Sequence, residues 1–364
     1  MHTLHVGTRK GLFTVRRQAT GWRLGEPAFA GGPVTQVLAD PADGAWYAAL
    51  RLGHFGVKLQ RSTDGGGGSW QEVAAPALPP KPQDGPWKDD ATPWSVDLVW
   101  CLQAGAGRLW AGCLPAGLFH SDDAGRSWHL ATSLVGAAGT ARVVRWRLRP
   151  CRHPLGAGRS ARSAAPDDRR FLRRCLANAR RWHHLGQHLA RAGRRCLHAA
   201  AAAPRRQHPG RAPHRRLRGA ADVRWLQHHG GMYRSVEGGA LWTPITAAVA
   251  SSFGVAVAAH PREPLRAWFA PANSDARRMP VNGRLVVTET RDGEESFTAR
   301  GDGLPARDVY HLVYRHGLDS TADGEVLALA LGSTTGGLWI SEDGGSRWEC
   351  VSRGLPPIAV LRFA

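Results

Sequence analysis

Ser121-Asp122-Asp123-Ala124-Gly125-Arg126-Ser127-Trp128 decides how this chain is read, because it returns. Ser341 to Trp348 repeats it, with Asp343 at the third position and Arg347 ahead of the Trp. Ser62, Asp64 and Trp70 make a copy with one extra Gly. Ser235 to Trp242 carries Glu237 in place of Asp, and Thr290, Asp292 and Phe297 make a fifth copy. Each copy follows an apolar run opened at or near a Gly, as in Gly117-Leu118-Phe119, Gly231-Met232-Tyr233 and Gly337-Leu338-Trp339. An apolar run, a polar turn with Asp and Gly, then a strand that opens on Trp is a hairpin pattern. The Ser and Asp oxygens accept backbone N–H bonds inside the turn, and Gly supplies the positive φ values. The Trp buries a large ring against the neighbouring sheet. The acid of each copy therefore reads as a structural staple, not a catalytic group.

The spacing organises the rest. Ser62 to Ser121 is 59 residues, Ser235 to Thr290 is 55 and Thr290 to Ser341 is 51. Ser121 to Ser235 is 114, two intervals of 57, so one copy is missing near residue 178. Repeats of this period fix the architecture before any other feature does. The turn resembles the Asp box of the sialidase-like, BNR-repeat β-propellers, where it joins the third and fourth strands of each blade. The resemblance covers the chain outside about residues 135–219 and implies an all-β, seven-bladed propeller. A worn first copy is Gly11-Leu12-Phe13-Thr14 followed by Trp22. The strand Ile358-Ala359-Val360-Leu361-Arg362-Phe363 would complete blade one, leaving no free edge. Residues 1–134 then hold blades one to three, and 220–364 hold blades five to seven with the closing strand. Ala45 to Leu50, Arg108 to Cys113, Val223 to Gln227 and Ala267 to Ala270 supply further strands.

Residues 135–219 have another composition. They hold 22 Arg, no Lys and two acids, Asp167 and Asp168, which leaves 26 basic and 27 acidic residues elsewhere. The net charge of +19 is thus entirely local. One reading is a genuine basic insertion that would meet phosphate backbones through its Arg clusters. The other is a shifted reading frame of a GC-rich gene. Read from the second base of each codon, residues 178–185 permit Thr-Arg-Asp-Gly-Gly-Thr-Thr-Trp, a copy of the turn at the position where one is missing. Because the frame-shift reading accounts for both position and motif, no nucleic-acid partner is inferred from the charge. As written, blade four is replaced by an irregular Arg/Ala-rich segment, too poor in β-branched residues and too uniformly charged to offset its ordering entropy. The coding DNA across codons 130 to 225 separates the two readings.

The amino-terminal residues show no charged segment followed by an apolar one, so no signal peptide is read, and no stretch approaches membrane-spanning length. The cytoplasm is the expected location. Cys101, Cys113 and Cys350 fall in apolar strand patterns and read as core thiols. The Cys196/His198 and Cys151/His153 pairs lack a regular second half-site, so no metal and no cofactor is expected.

The resemblance also implies where a ligand would sit: over the central channel, on the face opposite the repeated turns. There the chain would bring Arg51 and His54, the linker with Lys88, Asp89 and Asp90, then Asp97, His228 and His229, the loop with Asp275, Arg277 and Arg278, and Tyr310 with His311. For a glycoside hydrolase, exo-sialidase-like or using two carboxylates, Asp97, Asp275 and Tyr310 are the candidate catalytic residues. The amino-terminal motif of the sialidases is missing, Thr8-Arg9-Lys10-Gly11 standing nearby instead, and Tyr310 has no evident Glu beside it. For a non-catalytic binding or scaffold module, Arg51, His54, His228, His229, Arg277 and His311 line the ligand face and take a protein, peptide or glycan. Repeats alone do not choose between the two. The missing motif favours binding.

Overall fold

The computed structural model describes residues 3–66, 68–81, 83–84, 94–105, 107–114, 117–131, 222–228, 231–239, 241–247 and 250–364. All the long elements among them are strands, in sheets that follow one another along the chain. β1 (Thr3–Thr8), β2 (Gly11–Gln18) and β3 (Gly21–Leu24) open the first sheet. β4 (Val34–Ala39), β5 (Trp46–Arg51), β6 (Val57–Ser62) and β7 (Gln71–Val73) make the second. β8 (Leu98–Gly105), β9 (Arg108–Leu114), β10 (Gly117–Ser121) and β11 (His129–Leu130) make the third. β12 (Arg224–His228), β13 (Gly231–Ser235) and β14 (Thr243–Ile245) make the fourth. β15 (Gly254–Ala259), β16 (Ala267–Pro271), β17 (Val287–Thr290) and β18 (Thr298–Arg300) follow as the fifth. β19 (Leu318–Asp323), β20 (Val326–Gly332), β21 (Leu338–Ser341) and β22 (Glu349–Ser352) form the sixth. The last strand, β23 (Ile358–Phe363), returns to pair antiparallel with β1, giving the first sheet the order β23-β1-β2-β3.

Among the described residues these sheets are the blades of a β-propeller with six blades, not the seven expected. The count of seven read the 114-residue interval from Ser121 to Ser235 as two repeat periods. An interval counts a blade only where its residues alternate as strands do, and the Arg/Ala-rich stretch does not. Residues 135–219, including the turn read from the shifted frame, lie outside the described residues. The expected blades five to seven are therefore blades four to six. The described strands of blade four match the second, third and fourth strands of its neighbours.

Five buried clusters glue consecutive blades. Leu12, Val34, Trp46 and Val360 join blades one and two, and Tyr47, Leu59, Leu102 and Phe119 join two and three. Trp225, Phe269 and Phe297 join four and five, Trp268, Leu329 and Trp348 join five and six, and Leu4, Ile340 and Phe363 join six and one. Each buried side chain of this size contributes roughly 1.5–3 kcal/mol relative to exposure, so the blade interfaces hold the fold.

The repeated turn lies after the third strand in blades two to six and has one geometry. The hydroxyls of Ser62, Ser121 and Ser341 donate to Asp64, Asp123 and Asp343, and accept N–H from Gly66, Gly125 and Gly345. The Asp carboxylates also take the N–H of Ser69, Ser127, Ser296 and Arg347. Bonds from the Ser127 hydroxyl and amide, and from the Ser121 hydroxyl, hold the Asp123 carboxyl below its ordinary range. Two successive positions are left-handed in every copy: Gly65 and Gly66, Ala124 and Gly125, Gly238 and Gly239, Gly293 and Glu294, Gly344 and Gly345.

That turn is also the contact between blades. Tyr47 on β5 donates its hydroxyl to the Ala124 carbonyl of blade three at 3.1 Å, and Trp268 on β16 donates Nε1 to Gly344 of blade six at 3.1 Å. His5 on β1 lies against Gly66, where a Cβ would come within 2.9 Å of the imidazole. Trp128 answers in the other direction, its Nε1 reaching the Ala74 carbonyl of blade two at 2.8 Å. Trp242 and Trp348 are buried as well, and Trp70 meets Phe29 of blade one edge-on at 5.3 Å.

The closing strand is clasped from both sides. Beyond its ladder with β1, β23 meets the buried Asp319 of β19, which accepts Phe363 N–H at 2.9 Å and Arg362 Nη1 at 3.4 Å. Inner strands share a further device. β4, β8, β15 and β23 each carry a bulge, at Thr35, Trp100, Val255 and Ala359, which drops one residue out of the ladder.

Candidate functional site

The turns and the loops that leave second strands lie at opposite ends of the blades, because a β-strand carries the chain from one face to the other. Arg51 ends the second strand of blade two, and Asp97 sits just ahead of the inner strand of blade three. Arg51 Nε donates to Asp97 Oδ1 and Nη2 to Asp97 Oδ2, both at 3.0 Å, a two-pronged pair that is about half exposed. Asp97 N–H in turn reaches the Leu114 carbonyl at 2.7 Å, which fixes its backbone to β9. Both carboxylate oxygens are thus taken by one guanidinium, a geometry suited to orienting Arg51 rather than to passing a proton.

His54 lies in the 3-10 turn Gly53–Phe55 that follows Arg51, its ring 4.0 Å from that of Phe55. Phe55 is 69% exposed. Asp275 is tied within its own loop to Arg278, and Arg277 N–H bonds back to Ser274. Tyr310 stands 70% exposed in the linker to blade six. Its neighbour His311 turns inward, bonding Thr335 through Nδ1 and lying 5.8 Å from Trp339, and burial holds its proton affinity below the ordinary value. His228 ends β12, paired with Gly231. His229, Lys88, Asp89 and Asp90 lie outside the described residues. The structure therefore joins Arg51 to Asp97, sets His54 beside them in the chain, and ties Asp275 and His311 into local contacts of their own.

Sequence reasoning missed the residues at the channel mouth. The bulge at Trp100 leaves its carbonyl to accept Gln36 Nε2 from blade two at 2.9 Å and His316 Nε2 from blade six at 3.3 Å. The guanidinium of Arg315 stacks on the Trp100 ring, 3.2 Å from its centre. Side chains from blades two, three and six thus meet over one bulge. The only trace in the sequence is a Trp two residues into an inner strand, which alternation alone reads as core.

Among the described residues no three His, Cys, Asp or Glu side chains gather to hold a metal ion, and no helix is long and apolar enough to cross a membrane. No protein-family model and no curated protein matches the chain. Solved structures similar to it include one from a nidogen/laminin complex, 8% identical, covering 100% of this chain and 98% of that one, with a TM-score of 0.44. YCF48 from Cyanidioschyzon merolae is 16% identical over 97% of this chain and 82% of that one, TM-score 0.35. An ancestral GH74 enzyme is 13% identical over 95% of this chain but only 36% of that one, TM-score 0.38. Likeness at this level assigns neither a family nor an activity.

Proposed function

We propose that this chain is a non-catalytic binding or scaffold propeller of the sialidase-like Asp-box kind, which takes a protein, peptide or glycan on its channel face. The shared Ser–Asp–Gly hydrogen bonding of the turns supports the Asp-box reading. The observation that carries the binding reading is the Arg51–Asp97 pair. Asp97 was the best candidate for an acid or base, and a glycosidase needs two carboxylates facing a substrate, one of them able to give up a proton. Here one guanidinium occupies both oxygens of Asp97, and Asp275 is occupied by Arg278. What the face offers instead is recognition chemistry: the guanidinium N–H groups of Arg51 that Asp97 does not take, the imidazole of His54 and the exposed rings of Phe55 and Tyr310.

Two experiments test this. The protein is incubated with a panel of aryl glycosides, with Asp97→Asn as the comparison. No turnover by either is expected, and turnover that Asp97→Asn abolishes would overturn the reading. The same protein is then applied to a mixed glycan and peptide array. Signals above background are expected to fall at least tenfold with Arg51→Ala or His54→Ala. Array signals that survive both substitutions would remove this face as the site.

A further inference from the structure

The outer part of blade three carries a cluster that the channel face does not use. Trp110 on β9 and His129 on β11 are the two register partners of His120 on β10. Residues directly opposed in a sheet project from the same face. The rings stand accordingly, 5.3 Å between the centres of Trp110 and His120 and 5.5 Å between those of His120 and His129. His120 Nε2 lies 3.7 Å from Asp122 Oδ2, while His120 Nδ1 is buried without a hydrogen-bond partner. Asp122 is itself gripped by Arg108, whose guanidinium lies 5.8 Å from the centre of the Trp110 ring.

We infer that His120 and His129 form a two-imidazole site for a borderline divalent cation of the copper or zinc type, with Asp122 at its rim and water completing the coordination. Metal–nitrogen bonds of about 2 Å to two imidazoles at near-tetrahedral angles set the ring centres about 5 Å apart, close to the separation seen. Binding requires neutral imidazole. Nitrogen donors select copper, zinc and nickel, copper most strongly, whereas calcium and magnesium want oxygen cages that this cluster lacks. Arg108 keeps Asp122 from serving as a third full ligand, which is why the site has two. The bound ion would pin β11, only two residues long, to β10.

Calorimetric titration of the full chain with copper(II) chloride at pH 7.5 tests the site, comparing wild type with His120→Gln, His129→Gln and the double variant. Each single variant is expected to bind one equivalent fewer than wild type, and the double variant no fewer than the singles. Histidines elsewhere are common to all four proteins and cancel in the difference. His129 is exposed, so His129→Gln should melt with the wild type in the absence of metal and decides the matter should His120→Gln fail to fold. Equal stoichiometry in wild type and His129→Gln would overturn the inference.

Discussion

In five turns of this propeller the amide four residues on donates to the opening Ser or Thr hydroxyl, whereas the described contacts around Arg51 and Trp100 belong to single places in the fold. The turn face is built from residues with local duties, since a hydroxyl caps an amide, an acid fills most of the turns, two positions take left-handed backbone and a ring seats itself on the preceding blade. Away from the turns, residues meet across blades, such as Arg51 with Asp97, and Trp100 with Gln36, Arg315 and His316. Repetition marks what holds the ring together. Its absence marks what the ring presents.

Substitutions should separate the two faces by size of effect. Trp268 is fully buried and bonded to the turn of blade six, so Trp268→Ala should cost about 3–5 kcal/mol in urea unfolding. His5 comes next. Burial holds its pKa at about 4 against 6.5 in a free chain, so the unfolded state takes up the proton first as pH falls. Its contribution is complete above pH 6.5 and is lost between there and about pH 4, a fall of about 3 kcal/mol by linkage. Unfolding midpoints compared across that window for wild type and His5→Gln should converge at low pH. Ser121→Ala leaves the Gly125 amide without its acceptor and should cost about 2 kcal/mol. Ala124 holds φ 58° where the other four copies have Gly, so Ala124→Gly should raise stability by about 0.5–1 kcal/mol. The smallest change is expected on the channel face, where Arg51→Ala removes a half-exposed pair and should move stability by less than about 1 kcal/mol while abolishing array binding. A large loss of stability there would erase the distinction between the faces.

The same distinction explains what could be read from the chain alone. Ser121 to Trp128 announces its hairpin because every contact that shapes the turn lies within eight residues. The repeat placed the Trp128 ring against a neighbouring sheet but not its bond to the Ala74 carbonyl, which the indoles of Trp70 and Trp348 do not reproduce. The number of blades did not follow, since it hung on an interval whose residues carry no strand pattern. Arg51 and Asp97 were both placed on the channel face, yet their pairing depends on how blades two and three abut. Trp100 and Ala359 leave their ladders through bulges, which alternate-residue reading passes over. The buried Glu289, gripped by Arg266, Arg291 and Arg300, was invisible as well, its partners coming from the loop before β16, the repeated turn and β18.

The return of β23 to β1 has a consequence for synthesis. Residues 3–24 are made long before residues 358–363, which supply the innermost neighbour of their three strands. Until then Leu4 and Val6 have no inner strand to cover them, and Asp319 waits without Phe363 and Arg362. Contacts that span nearly the whole chain are slow to form, so a nascent chain should expose this edge for longer than any other, and chaperone capture should concentrate there.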